Sequence, residues 1–278
     1  MHVRSYAKIN WALRVTGKRA DGFHDLETLF QTISLSDELT FAPAERLTLS
    51  CSEATIPAGE SNLVIRAARA LGAPPVAIHL IKRIPAGGGL GGGSSNAAAT
   101  LLALDRMFFL RTSPERLRQI ALALGSDVPF FLEGGTAYAT GRGETLVPLT
   151  PSPRIALLLL FPRERVSTPD AFRSLRRFSE PIGIDRYRAV VAGDFLANPD
   201  VLANDFEEPV FARLPQLRLL KERLSSEGAA WAGMSGSGST IVGAFRSEAE
   251  RDQAAARFRD LRAEPATSGP FAIAVSED

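Results

Sequence analysis

Six of the seven residues at positions 87–93 are glycine, and this stretch limits what the chain can fold into more than any other feature. Glycine-rich linkers are usually flexible joints between domains. This one instead follows an apolar run at 76–84 closed by Pro85. It precedes a helical apolar face made by Ala97, Leu101, Leu104 and Phe108. Between a strand and a helix, glycine lets the backbone approach a ligand closely. The loop then turns a row of N–H groups toward one point at the positive end of a helix. Phosphate oxygens are the guest that fits. Ser94, Ser95 and Asn96 stand at the helix entry, where they cap it or add side-chain hydrogen bonds.

The kind of phosphate loop can be narrowed. A Walker A loop ends in Gly-Lys-Ser/Thr, and no lysine follows here. Gly87, Gly89 and Gly92 satisfy the dinucleotide spacing, but a loop this rich in glycine satisfies almost any glycine pattern. The acidic residue expected about 20 positions later is also absent, since Asp105 comes too early. A second glycine-rich segment, residues 233–240, precedes an apolar run ending at Phe245. It reads either as a tight surface loop or as a second wall of the phosphate site.

The remaining signals place these loops. From 7 to 15 the odd positions are Ala7, Ile9, Trp11, Leu13 and Val15, a strand with one apolar face. Lys8 and Asn10 project together from the other face, as a solvated pair or as part of a site. A helix is punctuated by Ser113 as N-cap, Pro114 at its first position and Gly125 at its end. Pro148, Pro151 and Pro153 mark the best domain boundary, giving domains 1–150 and 151–278. Beyond it, strands near 155–161, 240–245 and 271–275 alternate with helical patterns near 214–227 and 247–261.

The 278 residues are 45% hydrophobic and 23% charged, enough for a sizeable core. The single cysteine, Cys51, excludes internal disulfides and multi-cysteine zinc sites. A formal net charge of +1 gives no sign of a nucleic-acid coat. Residues 1–13 lack the apolar stretch of a signal peptide, and the longest apolar run, 155–161, is far short of the roughly 20 residues a membrane helix needs. We expect a cytoplasmic protein with no nucleic-acid or membrane partner, monomeric or homodimeric.

The run Pro85, Ala86, Gly87, Gly88, Gly89, Leu90, Gly91, Gly92, Gly93, Ser94, Ser95, Asn96 resembles the ATP loop of the GHMP kinases, which include galactokinase, homoserine kinase and mevalonate kinase. Residues 233–240 are similar to that family's third motif. The segments at 7–10, 18–24, 125–131, 134–137 and 141–144 resemble the branch that phosphorylates the 2-hydroxyl of a cytidine-diphosphate-linked polyol. The resemblance runs from residue 7 to about 245. It implies an α+β, two-domain fold, with a first domain like domain 2 of ribosomal protein S5 and a ferredoxin-like second domain. It implies ATP and Mg²⁺ as cofactors and a small-molecule acceptor.

Residue roles follow from the resemblance. Asp127 matches the catalytic aspartate, which accepts the proton of the attacking hydroxyl; its local alternative is an N-cap for the segment starting at Val128. Lys8 matches the catalytic lysine, balancing charge on the phosphoryl group. Asn10 matches a substrate contact. Phe23 and Phe172 match the pair that sandwiches the cytosine, their alternative being core packing. His24 matches a base-reading position and Thr168 a neighbouring substrate contact. Asn62 and Lys82 match positions near the adenine. Ser95 is a candidate Mg²⁺ contact. Two departures stand out: Phe23 occurs where many members carry tyrosine, and Phe161-Pro162-Arg163 replaces a His-Pro-Gly. The alternative functions are the same chemistry on a homoserine or mevalonate-type acceptor, and a non-catalytic ATP-binding regulator.

Overall fold

A computed structural model describes residues 1–151 and 153–276; residues 152 and 277–278, which fall in the second expected domain, lie outside the described residues. The first half contains strands β1 (His2–Lys18), β2 (His24–Pro43) and β3 (Thr48–Cys51), helix α1 (Leu63–Leu71) and strand β4 (Val76–Ile81). Helices α2 (Gly92–Met107), α3 (Pro114–Leu124) and α4 (Val128–Glu133) follow, then strands β5 (Thr136–Gly141) and β6 (Thr145–Leu149). The second half runs β7 (Ala156–Phe161), α5 (Thr168–Ser174), α6 (Ile184–Ala192), α7 (Glu207–Arg213), α8 (Pro215–Ser226), β8 (Trp231–Met234), β9 (Ile241–Phe245), α9 (Glu248–Ala255), β10 (Arg262–Thr267) and β11 (Ala274–Ser276).

Two sheets organise the chain. The first has the order β11-β1-β2-β4-β3, with β5 and β6 added beside β2. On the edge away from β1, strand β2 is long enough to serve two further neighbours. Its first half, Leu26 to Gln31, pairs with β5, and its second half, Glu38 to Pro43, pairs with β4. The second sheet has the order β10-β7-β9-β8, all antiparallel. Counted within its own unit that is 4-1-3-2 with crossover helices, the ferredoxin-like arrangement the resemblance implied. The last strand, β11, returns to β1 in the first sheet, so the C-terminal segment closes the first layer rather than extending the second.

The alternation in β1 is real, but both faces are covered. Ala7, Ile9, Trp11 and Val15 are fully buried; Lys8 and Asn10 are 4% and 2% exposed. The solvated reading of that pair is therefore excluded. The β1–β2 register slips between Tyr6 and Lys8 and again between Asn10 and Ala12. These bulges bracket the polar pair, and a bulge re-aims the side chains beside it. Helix α3 is capped as its sequence indicates, with the Ser113 hydroxyl accepting from Arg116 N and Gly125 at the end. Strand β4 stops at Ile81, three residues before the expected end, because Lys82, Arg83 and Ile84 turn to bond Asp37. Helix α9 is shorter than its pattern, ending at Ala255.

Candidate active site

The site is built where the first glycine loop meets β1. The amide of Lys8 donates to Leu90 O at 3.0 Å, tying the strand to the loop. Leu90 is buried and anchors the turn in the core. Pro85 and Ala86 lead in, and Gly91 sits at the N-terminus of α2 with φ of 67°. A Cβ at Gly91 would lie 3.1 Å from Lys8 Cγ, so the lysine stem runs against the loop. At the helix entry, the Ser95 hydroxyl donates to Tyr6 O at 2.6 Å, and the Ser5 hydroxyl reaches both Ser95 Oγ and Asn96 Oδ1. Ser95 is fully buried and Asn96 nearly so. They fasten α2 to β1, which leaves Ser95 poorly placed as a metal contact.

Lys8 and Asp127 come together as the resemblance implied. Lys8 Nζ stands 3.5 Å from Asp127 Oδ2, with side-chain exposures of 5% and 34%. A buried ammonium is costly without partners. Here it also donates to Asn10 Oδ1 at 2.5 Å and lies over the Phe30 ring, 5.0 Å from its centre. Asn10 in turn donates to Thr28 Oγ1 at 2.8 Å. Its amide group, expected to meet substrate, is thus engaged in holding Lys8. Asp127 begins α4 but makes no capping hydrogen bond with its side chain, so its carboxylate stays free to face the cavity. The Lys8 ammonium is the buried half of the pair, and the carboxylate is the accessible half.

The second glycine segment, joining β8 to β9, closes on the first. Ser235 Oγ donates to Gly89 O at 3.0 Å and accepts from Asn10 N at 3.3 Å. Thr240 N donates to Gly88 O at 3.3 Å. This segment is a wall of the site rather than a surface loop. Asn204, unmarked in the sequence reading, holds it: its amide donates to Met234 O at 2.7 Å and to Gly236 O at 2.8 Å. Its Oδ1 accepts from Phe206 N, an Asx-type turn that was the available sequence signal. Asp37 was also missed. Fully buried, it accepts from the amides of Arg83 and Ile84 and from Lys82 Nζ, so it sets the approach to the loop.

A cavity of about 770 Å³ runs from Gly89 and Gly91 past Lys8, Asn10 and Asp127 to an aromatic end at Phe23, His24 and Phe172. Thr168 lines it too, its hydroxyl 2.8 Å from that of Ser237. The aromatic end differs from an open sandwich. His24 stacks on Phe172 at 4.6 Å and 16°, while Phe172 packs edge-on against Phe206. Phe23 is 52% exposed, which excludes core packing for it. Burial, helped by the charge of Lys18, holds the His24 imidazole below its ordinary range. Asn62 and Lys82 are not among the described residues lining this cavity. Asn62 caps α1, accepting from Val64 N and donating to Pro57 O. Lys82 Nζ pairs with Asp37 and would lie 3.1 Å from a Cβ at Gly92, so it borders the loop from its far side.

No helix among the described residues is long and apolar enough to cross a membrane. Family models match in both halves: "GHMP kinases N terminal domain" over residues 62–135 and "GHMP kinases C terminal" over residues 187–262. The chain is 41% identical to a 4-diphosphocytidyl-2-C-methyl-D-erythritol kinase of Prosthecochloris aestuarii, over 98% of each chain. It is 44% identical to one of Chlorobium phaeobacteroides, over 93% of each. A crystal structure of 4-(cytidine 5'-diphospho)-2C-methyl-D-erythritol kinase superposes with a TM-score of 0.85 at 36% identity, covering 98% of this chain and 100% of that one. With a paired glycine-loop site, a ferredoxin-like second sheet and relatives of this identity over nearly its full length, the chain belongs to the 4-diphosphocytidyl-2-C-methyl-D-erythritol kinase family of the GHMP kinases.

Proposed function

We propose that this protein transfers the γ-phosphoryl group of ATP to the 2-hydroxyl of 4-diphosphocytidyl-2-C-methyl-D-erythritol, a step of isoprenoid-precursor synthesis in the cytoplasm. The observation that carries the reading is the 3.5 Å Lys8–Asp127 pair. It lines one cavity together with Gly89 and Gly91 of the glycine loop and with the aromatic cluster of Phe23, His24 and Phe172. The relatives' names supply the acceptor.

The roles follow from geometry and charge. The N–H groups of the loop at 87–93 and the start of α2 hold the triphosphate. The accessible Asp127 carboxylate takes the proton of the acceptor hydroxyl as its oxygen attacks the γ-phosphorus, and the phosphorus–oxygen bond to ADP breaks. Lys8, held by Asn10, faces the negative charge that spreads over the phosphoryl oxygens. Ser235 and Asn204 keep the two loops in register, since phosphoryl transfer depends on positioning more than on covalent chemistry. Phe23, Phe172, His24 and Thr168 take the cytidine end.

Mg²⁺ accompanies ATP in this reading. The described residues contain no group of three or more His, Cys, Asp or Glu side chains able to cage a metal. Mg²⁺ accompanying a nucleotide is usually held by phosphate oxygens, water and one or two carboxylates. Asp127 is the acidic side chain among the described residues lining the cavity. Bound Mg²⁺ would neutralise phosphate charge.

The test is phosphate transfer from labelled ATP to three acceptors offered separately: the cytidine-diphosphate-linked polyol, homoserine and mevalonate. Phosphorylation confined to the first is expected. Comparable kcat/KM on homoserine or mevalonate, or ATP binding with no transfer to any of them, would overturn the proposal.

A further inference from the structure

The cavity is charged in one direction. Its described lining carries the cations Lys8, Lys18, Arg142 and Arg173 against the single carboxylate of Asp127. Lys8 is committed to the reaction centre. Arg173 is bound to Asp170, and Lys18 is an exposed side chain. Arg142 differs from all three. It sits in the turn between β5 and β6, and its backbone amide is fixed by Glu144 Oε2. Its guanidinium lies over the Phe23 ring, 4.6 Å from the centre. Glu144 forms an ion pair with it, 3.8 Å from its Nε, and Asp21 also feels its charge, but the Glu144 carboxylate is beyond hydrogen-bond reach. Among the described residues the guanidinium makes no hydrogen bond, although its side chain is only 29% exposed. A half-buried planar fork with its donors unspent and one face already packed is prepared for an anion.

Its place along the cavity says which anion. On one side is Phe23, the platform for the base. On the other, the adjoining Gly143 lies next to the reaction centre: a Cβ there would be 3.9 Å from Asp127 Oδ1. An acceptor that stacks its base at Phe23 and offers a hydroxyl to Asp127 must pass its connecting diphosphate through the space between. We propose that Arg142 is a specificity-determining residue that binds this diphosphate while packing over Phe23. It thereby selects a nucleoside-diphosphate-linked acceptor over a nucleoside or a free polyol. This rests on the acceptor assigned above.

Calorimetric titration with CDP and with cytidine as probes tests it. The wild-type protein binds CDP at least about tenfold tighter than cytidine, roughly 1.4 kcal/mol. In Arg142→Met that preference falls to about twofold or less, with cytidine affinity largely kept by the apolar cover on Phe23. Arg142→Gln, polar but neutral, gives the same collapse and decides the matter should the methionine variant fail to fold. Equal weakening of both probes would mean that Arg142 only props Phe23, and an unchanged CDP preference would mean that it touches no phosphate; either overturns the assignment. Turnover of the wild type on the cytidine-diphosphate-linked polyol, measured alongside, separates the two claims. Absent turnover with intact CDP preference sinks the proposed reaction and leaves Arg142 standing. Turnover with variants that keep the preference does the reverse.

Discussion

A methyl group at Gly89 would put its carbon 2.1 Å from the carbonyl oxygen of Ser235, 3.0 Å from that carbonyl's carbon and 3.2 Å from Gly238 O. Carbon and carbonyl oxygen meet at about 3.3 Å, so the two glycine segments must separate by roughly 1 Å to admit it. The obstacle is backbone on both sides, and no side chain can swing away. Two costs add. Gly89 has φ of +78°, and an alanine there costs about 1–2 kcal/mol for the left-handed backbone. Overpacking adds about 1–3 kcal/mol. Gly87 isolates the first cost, with φ of +71° and nothing within 4 Å of its Cβ position. Gly93 isolates neither: its nearest neighbour would be Leu63 at 3.8 Å, and alanine suits a helix slightly better than glycine. Denaturant unfolding should rank the variants Gly93→Ala near wild type, Gly87→Ala lower by about 1–2 kcal/mol and Gly89→Ala lower by about 2–5 kcal/mol. Because a displacement near 1 Å costs about 10²-fold in catalysis, kcat/KM should fall by that factor in Gly89→Ala and much less in Gly87→Ala. Equal behaviour of Gly87→Ala and Gly89→Ala in both assays would refute the claim that the loops are locked backbone to backbone.

Asp127→Asn should lower kcat by about 10²–10⁴-fold, the usual worth of a general base, while ATP affinity measured by titration stays within a few-fold. Phe23→Ala should raise KM for the cytidine acceptor with a smaller change in kcat, because stacking of about 1–3 kcal/mol is present before the transition state; a kcat loss at constant KM would contradict that role. Burial and then Lys18 depress the pKa of His24 in the folded chain. As pH falls through the ordinary histidine value of about 6.5, the unfolded chain takes up a proton that the folded chain refuses, so stability is lost from there down to the folded pKa. His24→Asn should flatten that part of a melting-temperature profile, and an unaltered slope would show that His24 is not its source.

Part of this was legible in the sequence because it is local. The glycine run between strand and helix, the caps of α3 and the alternation that set Lys8 and Asn10 opposite the apolar face all depend on neighbours within a few residues. The partners of those groups do not. Asp37 bonds amides 46 and 47 positions away, and Asn204 reaches across 30 and 32; no periodicity reports such pairings. The return of β11 to β1 was invisible for the same reason, since a strand pattern near the C-terminus carries no label for its sheet. Burial of both faces of β1 was also hidden. Alternation marks which residues share a face, and only the docking of the glycine loops and α2 decides that the polar face is covered as well. The resemblance brought Lys8 and Asp127 together across 119 positions, which local chemistry alone leaves as a strand lysine and a helix-cap aspartate.

In the proposed reaction a triphosphate end and an acceptor hydroxyl meet at the Lys8–Asp127 pair. A crystal structure with a non-hydrolysable ATP analogue and the cytidine-diphosphate-linked polyol bound together would decide this. The γ-phosphate should lie against the amides of the loop at 87–93, and the 2-hydroxyl oxygen within about 2.6–3.2 Å of an Asp127 carboxylate oxygen, with the base at Phe23. An acceptor hydroxyl seated away from Asp127, or a triphosphate bound anywhere but at the glycine loop, would contradict it.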